Sequence, residues 1–386
     1  MQAVILAAGK GTRLVPITNT TSKAMISIVN KPLLEWTIDA VKGVCDEIII
    51  VIRKEQKDII ESFPDYKFVY QDETLGTAHA IAQCEKMIKG NFIVLAGDII
   101  VHENEIKKFV KSGAPGICAA EVENPKAYGT LSLAGNLLKK ITEKIENPES
   151  NLVNASVYFF TKDIFSAIGK TKKSERGEYE ITDSINLLIE NGAEFKCHIL
   201  ETWLDIGQPW QILDANKIIL EKTGTIIGKN VQLRPGAFIE HPVAIDDNSI
   251  IGPNCYIRKF SSIGKNCKVG NAVEIKNSII MDNSFVSHLS YVGDSVIGKN
   301  CNIAAGTLFA NLRLDEKNIW MIINDKKVDS GHRKLGSLVG DNVKFGANCT
   351  IMPGKRIWPN ILVPPCSIVS EDITVQPDIK EYFNRR

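Results

Sequence analysis

The sequence predicts two architectures in one chain: an α/β unit with a parallel sheet, then a left-handed parallel β-helix of hexapeptide repeats. Three observations carry this expectation. Before about residue 205, short apolar runs alternate with amphipathic stretches, as when strands are connected by helices. From residue 225, Ile227, Leu233, Ile239, Ile245, Ile251, Ile257, Ile263, Val269 and Ile275 stand six apart without a break. Six is neither a helical nor a simple strand period, and it marks short strands joined by turns into stacked coils. The chain is also 386 residues long, more than twice a usual domain of roughly 150.

In order, the first region reads as strand Ala3 to Ala7, helix Leu33 to Val41, strand Glu47 to Ile52 and helix Gln56 to Phe63. Strand Phe68 to Tyr70, helix Ala78 to Ile88 and strand Phe92 to Ala96 follow. Ligands of such sheets bind beyond the C-terminal strand ends. Gly207-Gln208-Pro209 opens a connecting helix, Trp210 to Glu221, stopped by Thr223-Gly224. The hexads resume at Val339, Phe345, Ile351, Ile357 and Val363, so the polar stretch 312–337 is a loop or hairpin projecting from the coils. The expected boundaries are 1–205 for the α/β domain, 206–224 for the linker helix and 225–386 for the β-helix.

Composition excludes several classes of function. Lys and Arg total 46 against 45 Asp and Glu, so no global charge draws the chain to nucleic acid or anionic lipid. No apolar run approaches the ~20 residues that span a bilayer. The N-terminus lacks the basic lead and long apolar core of a secretion signal, and a cytoplasmic location is expected. Nine cysteines include no Cys-x-x-Cys pair, and Cys255, Cys267, Cys301 and Cys349 each end a Gly-x-Asn-Cys tetrad. They read as small apolar side chains within the repeat, not as metal or disulfide ligands.

Leu6-Ala7-Ala8-Gly9-Lys10-Gly11-Thr12-Arg13-Leu14 is a strand running into a glycine-rich turn, where backbone N–H groups can approach phosphate oxygens. It lacks the third glycine of a dinucleotide fingerprint and the Gly-Lys-Ser/Thr of a P-loop. Arg13 and Lys23 add cations nearby. Asp98 follows the strand Phe92 to Ala96 at the expected ligand edge, and Asp205 lies in Trp203-Leu204-Asp205.

These motifs, with Ser22-Lys23, Leu75-Gly76-Thr77-Ala78-His79-Ala80 and Gly97-Asp98, resemble those of the nucleoside-triphosphate:sugar-1-phosphate nucleotidylyltransferases over residues 1 to about 207. The resemblance implies a Rossmann-like nucleotidyltransferase domain. It implies that Arg13 and Lys23 neutralise the triphosphate and that Asp98 and Asp205 hold Mg²⁺. Ala8, Gly9, Gly11, Gln71, Gly76, Thr77, Gly129, Glu143 and Asn154 would contact nucleotide or sugar. The Gln71 amide offers the donor and acceptor that complement a uracil or thymine edge. Trp203-Leu204-Asp205 resembles the glucose-1-phosphate thymidylyl/uridylyl branch, so UTP and dTTP both stand as co-substrates.

In the repeat region, Arg258, Lys276, His288, Tyr291, Asn302 and Asn311 follow the spacing of the glucosamine-1-phosphate acetyltransferase half of the bifunctional enzymes. The resemblance implies His288 as general base, the other five as the amino-sugar-phosphate site, and Ala305 as an acetyl-CoA contact. An imidazole with a pKa near ~6.5 suits removal of an amine proton at neutral pH. Arg258 is followed by Lys259-Phe260, and Asn311 by the long insertion, which resembles an archaeal-type version more than the bacterial one. These departures leave galactosamine 1-phosphate beside glucosamine 1-phosphate. The basic cluster Ser330 to Gly336 is expected to meet CoA phosphates or simply to be a solvated loop. A homotrimer or a multiple of it is implied.

The function expected is UDP-N-acetylglucosamine synthesis by acetyl transfer followed by uridylyl transfer. The alternative is a monofunctional glucose-1-phosphate or mannose-1-phosphate nucleotidylyltransferase with the β-helix as an oligomerisation scaffold. A non-enzymatic alternative is an interaction subunit like those of guanine-nucleotide exchange factors, which would need no intact metal site.

Overall fold

The structure, a computed structural model, describes residues 1–379; residues 380–386 of the expected β-helix domain lie outside the described residues. It divides into two compact units. The first comprises Met1–Lys10, Lys23–Met25 and Leu33–Asp205; Gly11–Ser22, Ile26–Pro32 and the chain from Ile206 onward belong to the second.

The first unit is built on a nine-stranded sheet. Its parallel core runs Lys67–Tyr70, Glu47–Ile52, Gln2–Leu6, Phe92–Ala96. The sheet is mixed, where the sequence predicts a parallel one. Leu152–Phe160 runs antiparallel to Phe92–Ala96, and Gly129–Ala134 pairs antiparallel with Leu137–Glu143. Only two residues, Gly135-Asn136, separate that last pair, too few for a parallel crossover. Both sheet faces are covered. Ala3, Ile5, Ile50, Ile52, Ile93 and Leu95 face one apolar layer, and Val4, Ile49, Val51, Phe92 and Val94 face the other. This period-two division of fully apolar strands is what a sheet buried on both sides requires. Helix Leu33–Val41 packs on the first layer through Leu34, Ile38 and Val41, and helices Thr77–Ala82 and Ile181–Glu190 on the second. The predicted helix Ala78 to Ile88 is a short α-helix followed by the 3₁₀ turn Glu85–Met87.

The second unit stacks parallel two-to-four-residue strands into three seven-stranded sheets, the left-handed parallel β-helix. The first sheet begins at Ile226–Ile227, the second at Gln232–Leu233 and the third at Phe238–Ile239. From Ile245 onward the repeated aliphatic of each coil strand points inward. Ile245, Ile251, Ile257, Ile263, Val269 and Ile275 are all fully buried, each contributing about 1.5–3 kcal/mol. Coils are 18 residues long where Ile245 pairs with Ile263.

The Gly-x-Asn-Cys tetrads now have a physical account. In Gly264-Lys265-Asn266-Cys267, a Cβ on Gly264 would come within 2.4 Å of Asp282 Oδ1 in the coil above. Asn266 takes the left-handed corner at φ 54°, which asparagine tolerates better than most side chains. Its amide donates to Asn283 at 3.1 Å, one rung of a ladder repeated at Asn230–Asn248, Asn300–Asn342 and Asn342–Asn360. Cys267 points inward, and burial pushes its thiol up to about 12, which removes it from thiolate chemistry. All nine cysteines are free. No helix among the described residues is long and apolar enough to cross a membrane.

Between Phe309 and Val339 the repeat is interrupted by the hairpin Trp320–Ile323 and Lys326–Asp329, closed by Asn324-Asp325, both at positive φ. The segment after its return strand is pinned to the helix Gln211–Thr223. His332 Nε2 meets Asp214 Oδ1 at 2.9 Å, and its Nδ1 meets the Ser330 carbonyl at 2.7 Å. Both partners are acceptors, so both bonds form only when the ring carries two protons. The Asp214 carboxylate raises the His332 pKa above its usual 6.5 against partial burial, with Asp294 adding to it. A raised folded-state pKa gives stability that is complete below about 6.5 and fades as pH rises through the higher value. Within the basic cluster, Arg333 also pairs with Glu316. We expect His332→Gln to lower the thermal stability of the β-helix unit by about 1 kcal/mol at pH 6. At pH 9 wild type and variant should melt alike, as a thermal scan at both pH values would show.

Candidate active sites

In the first unit the predicted residues gather where the parallel strands end. Ala8 and Gly9 follow Gln2–Leu6, Gln71 follows Lys67–Tyr70, and Asp98 follows Phe92–Ala96. The loop entrance is held from behind: Arg53 Nε donates to the Ala8 carbonyl at 2.9 Å and Gln56 Nε2 to the Ala7 carbonyl at 2.9 Å. A Cβ on Gly9 would meet nothing within 4 Å, so its backbone borders open space. Gly11 and Arg13 fall in the second unit, where Gly11 takes φ 65° at the start of the 3₁₀ turn Thr12–Leu14.

Gln71 is buried, and its Nε2 donates to the Gly76 carbonyl at 3.1 Å and lies 3.2 Å from His79 Nδ1. Gly76 has φ 111°, and a Cβ there would stand 2.5 Å from the Tyr179 carbonyl oxygen. Thr77 Oγ1 accepts from the Ile181 N–H at 3.0 Å, fixing the start of its helix.

Asp98 and Asp205 are brought to one place by a short antiparallel pair, in which Asp205 stands opposite Ile99 and Trp203 opposite Val101. Lys23, mostly buried, forms an ion pair with Asp98. No cluster of three or more potential metal ligands occurs among the described residues.

Gly129 and Glu143 also meet. A Cβ on Gly129 would come within 2.8 Å of Glu143 Oε1, and the strand pairing sets these two residues opposite each other. Thr182 Oγ1 donates to Glu143 Oε1 at 3.0 Å, and Arg176 lies 3.5 Å from its other oxygen. Burial raises the Glu143 pKa, partly offset by Thr182 and Arg176. Asn154 donates to the buried Tyr158 Oη at 2.8 Å. Arg53, Gln56, Arg176 and Thr182 were not singled out from sequence, because each reaches its partner from a distant segment carrying no local motif.

In the β-helix His288, Asn302 and Ala305 lie on or just after strands of the second sheet, and the other predicted residues on or just after strands of the third. His288 closes the strand Phe285–His288 opposite Asn271; its side chain is exposed and makes no hydrogen bond among the described residues. Ala305 stands two residues after Ile303 as His288 stands two after Val286, and these strands are paired, so both mark one edge. Asn302 lies opposite Phe285. At the far edge of the third sheet come Lys276, which ends a strand, and Arg258 and Asn311, which follow strands. Tyr291 projects from that sheet between Glu274 and Leu308.

The second edge is irregular. Ile275 to Ile280 and Val292 to Ile297 are five-residue steps, and the insertion leaves from the same corner after Phe309. In this column Lys276 Nζ pairs with Asp294 Oδ2 at 2.5 Å, Asn277 Nδ2 donates to Asp294 Oδ1 at 2.8 Å, and Asn311 donates to both Asp294 and, at 3.0 Å, Tyr291 Oη. Burial, with the charges of Asp294 and Glu274, raises the Tyr291 pKa, so it stays a neutral phenol. A Cβ on Gly293 would stand 2.5 Å from Tyr291 Oη and 2.7 Å from Asn311 Nδ2, so glycine makes room for that bond. Arg258 Nη1 donates to Glu274 Oε1 at 3.2 Å.

The Gly76 geometry yields a direct expectation. Gly76→Ala should destabilise the first unit by about 1–3 kcal/mol through strain at positive φ. It should also displace Gln71 and weaken nucleoside triphosphate binding at least about tenfold by titration calorimetry. Unchanged binding would remove Gln71 from the nucleotide site.

Known proteins share both halves. Residues 2–222 match the family described as nucleotidyl transferase, and residues 239–379 match the GMPPB C-terminal domain. The chain is 39% identical to the bifunctional protein GlmU of Methanocaldococcus jannaschii, over 97% of this chain and 96% of that protein. It is also 39% identical to the bifunctional sugar-1-phosphate nucleotidylyltransferase/acetyltransferase of Sulfurisphaera tokodaii, over 97% and 98% of the two chains. A crystal structure assigned as a glucose-1-phosphate thymidylyltransferase from Bacillus anthracis, in complex with sucrose, is similar with a TM-score of 0.51 and 27% identity. It covers 56% of this chain and 94% of that one. With similarity running nearly end to end, the chain belongs to the nucleotidyl transferase family and, within it, to the bifunctional sugar-1-phosphate nucleotidylyltransferase/acetyltransferases.

Proposed function

We propose that the β-helix unit acetylates glucosamine 1-phosphate from acetyl-CoA, and that the α/β unit then joins N-acetylglucosamine 1-phosphate to UTP, releasing pyrophosphate. The observation that carries this reading is the Lys276–Asp294–Asn311–Tyr291 column at one edge of the third sheet, with an exposed His288 at the corner before that sheet, a polar set that an oligomerisation scaffold does not need.

For acetyl transfer, the sugar amine attacks the thioester carbonyl carbon. His288 Nδ1 or Nε2 takes the amine proton, the C–S bond breaks, and CoA leaves as the thiol after receiving a proton. Lys276 and Arg258 supply positive charge for the sugar phosphate, and Tyr291, Asn302 and Asn311 supply hydrogen bonds. Ala305, at the edge that bears His288, lies where the acetyl-CoA arm would pass. A homotrimer would set these edges against neighbouring chains.

For uridylyl transfer, a sugar-phosphate oxygen attacks the α-phosphorus of UTP, and the bond to the β-phosphate oxygen breaks in line. Arg13 and Lys23 balance charge on the triphosphate, while Ala8, Gly9 and Gly11 offer backbone N–H groups. Gln71 reads the base edge, which uracil and thymine share, so dTTP is an alternative co-substrate. Thr77 and Gly76 shape that pocket, and Gly129, Glu143 and Asn154 receive the sugar hydroxyls. The paired carboxylates Asp98 and Asp205 suit Mg²⁺, a hard cation that takes few protein oxygens and completes its shell with phosphate and water. When bound, the ion would stabilise negative charge on the transferring phosphoryl group and pyrophosphate. The free cysteines accord with a reducing, cytoplasmic location.

Crossed variants test the reading. Asp98→Asn and Asp205→Asn should each reduce Mg²⁺-dependent pyrophosphate release at least about 100-fold while leaving CoA thiol release intact. His288→Ala should do the reverse, lowering thiol release by about 10²–10⁴-fold. Thiol release that survives in His288→Ala would remove the imidazole as base. Absence of thiol release in the wild type would favour a monofunctional nucleotidylyltransferase.

A further inference from the structure

The corner that carries Lys276 departs from the rest of the β-helix in one residue that the reading above leaves without a role. Left-handed corners between the first and second sheets hold asparagine in successive coils, at Asn230, Asn248, Asn266, Asn283, Asn300, Asn342 and Asn360. At the corner after the third sheet, Asn277 at φ 44° is followed one coil later by Asp294 at φ 45°. A stack of this kind needs only an amide there; a carboxylate adds a buried charge. Asp294 is 5% exposed, and three donors converge on it: Lys276 Nζ and Asn311 Nδ2 on one oxygen, Asn277 Nδ2 on the other. Its backbone carbonyl also accepts from Gly336 N–H at 2.8 Å, where the insertion rejoins the coils.

We propose that Asp294 is a positioning residue of the acetyltransferase site, holding the Lys276 ammonium and the Asn311 amide on one carboxylate so that both are fixed before the sugar phosphate arrives. This rests on the reading of Lys276 and Asn311 as sugar-phosphate ligands. Lys276 has a flexible four-carbon stem and gains most from being fixed in advance. Asn311 has one amide nitrogen shared between Asp294 and Tyr291 Oη, so the carboxylate also sets the orientation of Tyr291.

Asp294→Asn isolates the charge from the fold. Asparagine is the residue at the left-handed corners between the first and second sheets, and the buried Asn277 Oδ1, which has no partner among the described residues, can accept from the new amide. The experiment compares wild type, Asp294→Asn, Lys276→Met and the double variant, with thiol release measured against glucosamine 1-phosphate and against acetyl-CoA. The expected result is a KM for glucosamine 1-phosphate at least about tenfold higher in Asp294→Asn. The KM for acetyl-CoA, pyrophosphate release and melting temperature should be unchanged, and the double variant should be no worse than Lys276→Met alone. An unchanged or lower sugar-phosphate KM in Asp294→Asn, with Lys276→Met impaired, overturns the positioning role. An unimpaired Lys276→Met overturns the underlying assignment of Lys276 instead. Additive effects in the double variant would show that Asp294 acts apart from Lys276 and would also overturn the proposal.

Discussion

The β-helix depends on one constraint: each coil must stack in register on the coil below, inward aliphatic on inward aliphatic. Its strands are mostly two residues long and have little stability alone. What holds them is a continuous apolar column, from Val243 and Ile245 through Ile303 and Phe309 to Ile357 and Val369, closed by backbone hydrogen bonds from coil to coil. Everything else on the unit is attached to that register. Corner residues stack on the corner residues directly above and below, so side chains far apart in sequence form vertical columns. Lys276, Asp294 and Asn311 meet in this way, 17 or 18 residues apart in sequence.

The same stacking explains how a site can be built without disturbing the core. Between Ile275 and Ile280, and again between Val292 and Ile297, the corner is one residue shorter than elsewhere, yet all four aliphatics remain fully buried or nearly so. The variation in length is absorbed outside the core. Above these short corners the insertion leaves and returns, held by Leu335 N–H to the Asn311 carbonyl and Gly336 N–H to the Asp294 carbonyl. In the α/β unit a different rule does the equivalent work: parallel strands with both faces buried end at one edge, and the loops there bring Ala8, Gln71 and Asp98 together.

Much of this was legible in the sequence, for reasons that differ by element. The helix Leu33–Val41 and the strands Glu47–Ile52 and Phe92–Ala96 coincide with their predicted bounds, because apolar periodicity there is unbroken. The six-residue period revealed the β-helix but was lost after Ile275, where a five-residue step shifts its phase. The antiparallel half of the sheet was missed because strands such as Gly116–Glu121 and Leu152–Phe160 carry no signal of direction. Of the site, residues in local motifs such as Gly76 and Asp98 could be named, whereas Thr182 beside Glu143 could not. The role of Asp294 depends on a lysine one coil below. Only the register shows that they meet.

The central claim is that coil register builds the acetyltransferase site, and lengthening the short corner tests it most directly. Inserting one glycine after Asn277 converts the 17-residue coil from Ile263 to Ile280 to the 18-residue length of the coil before it. The core can retain its register while Lys276 is displaced from Asp294. The measurement is CoA thiol release with glucosamine 1-phosphate, with pyrophosphate release and thermal melting as internal controls. The account predicts that thiol release falls at least about 100-fold, by loss of preorganised geometry, while both controls hold. Undiminished thiol release from a folded insertion variant would contradict it.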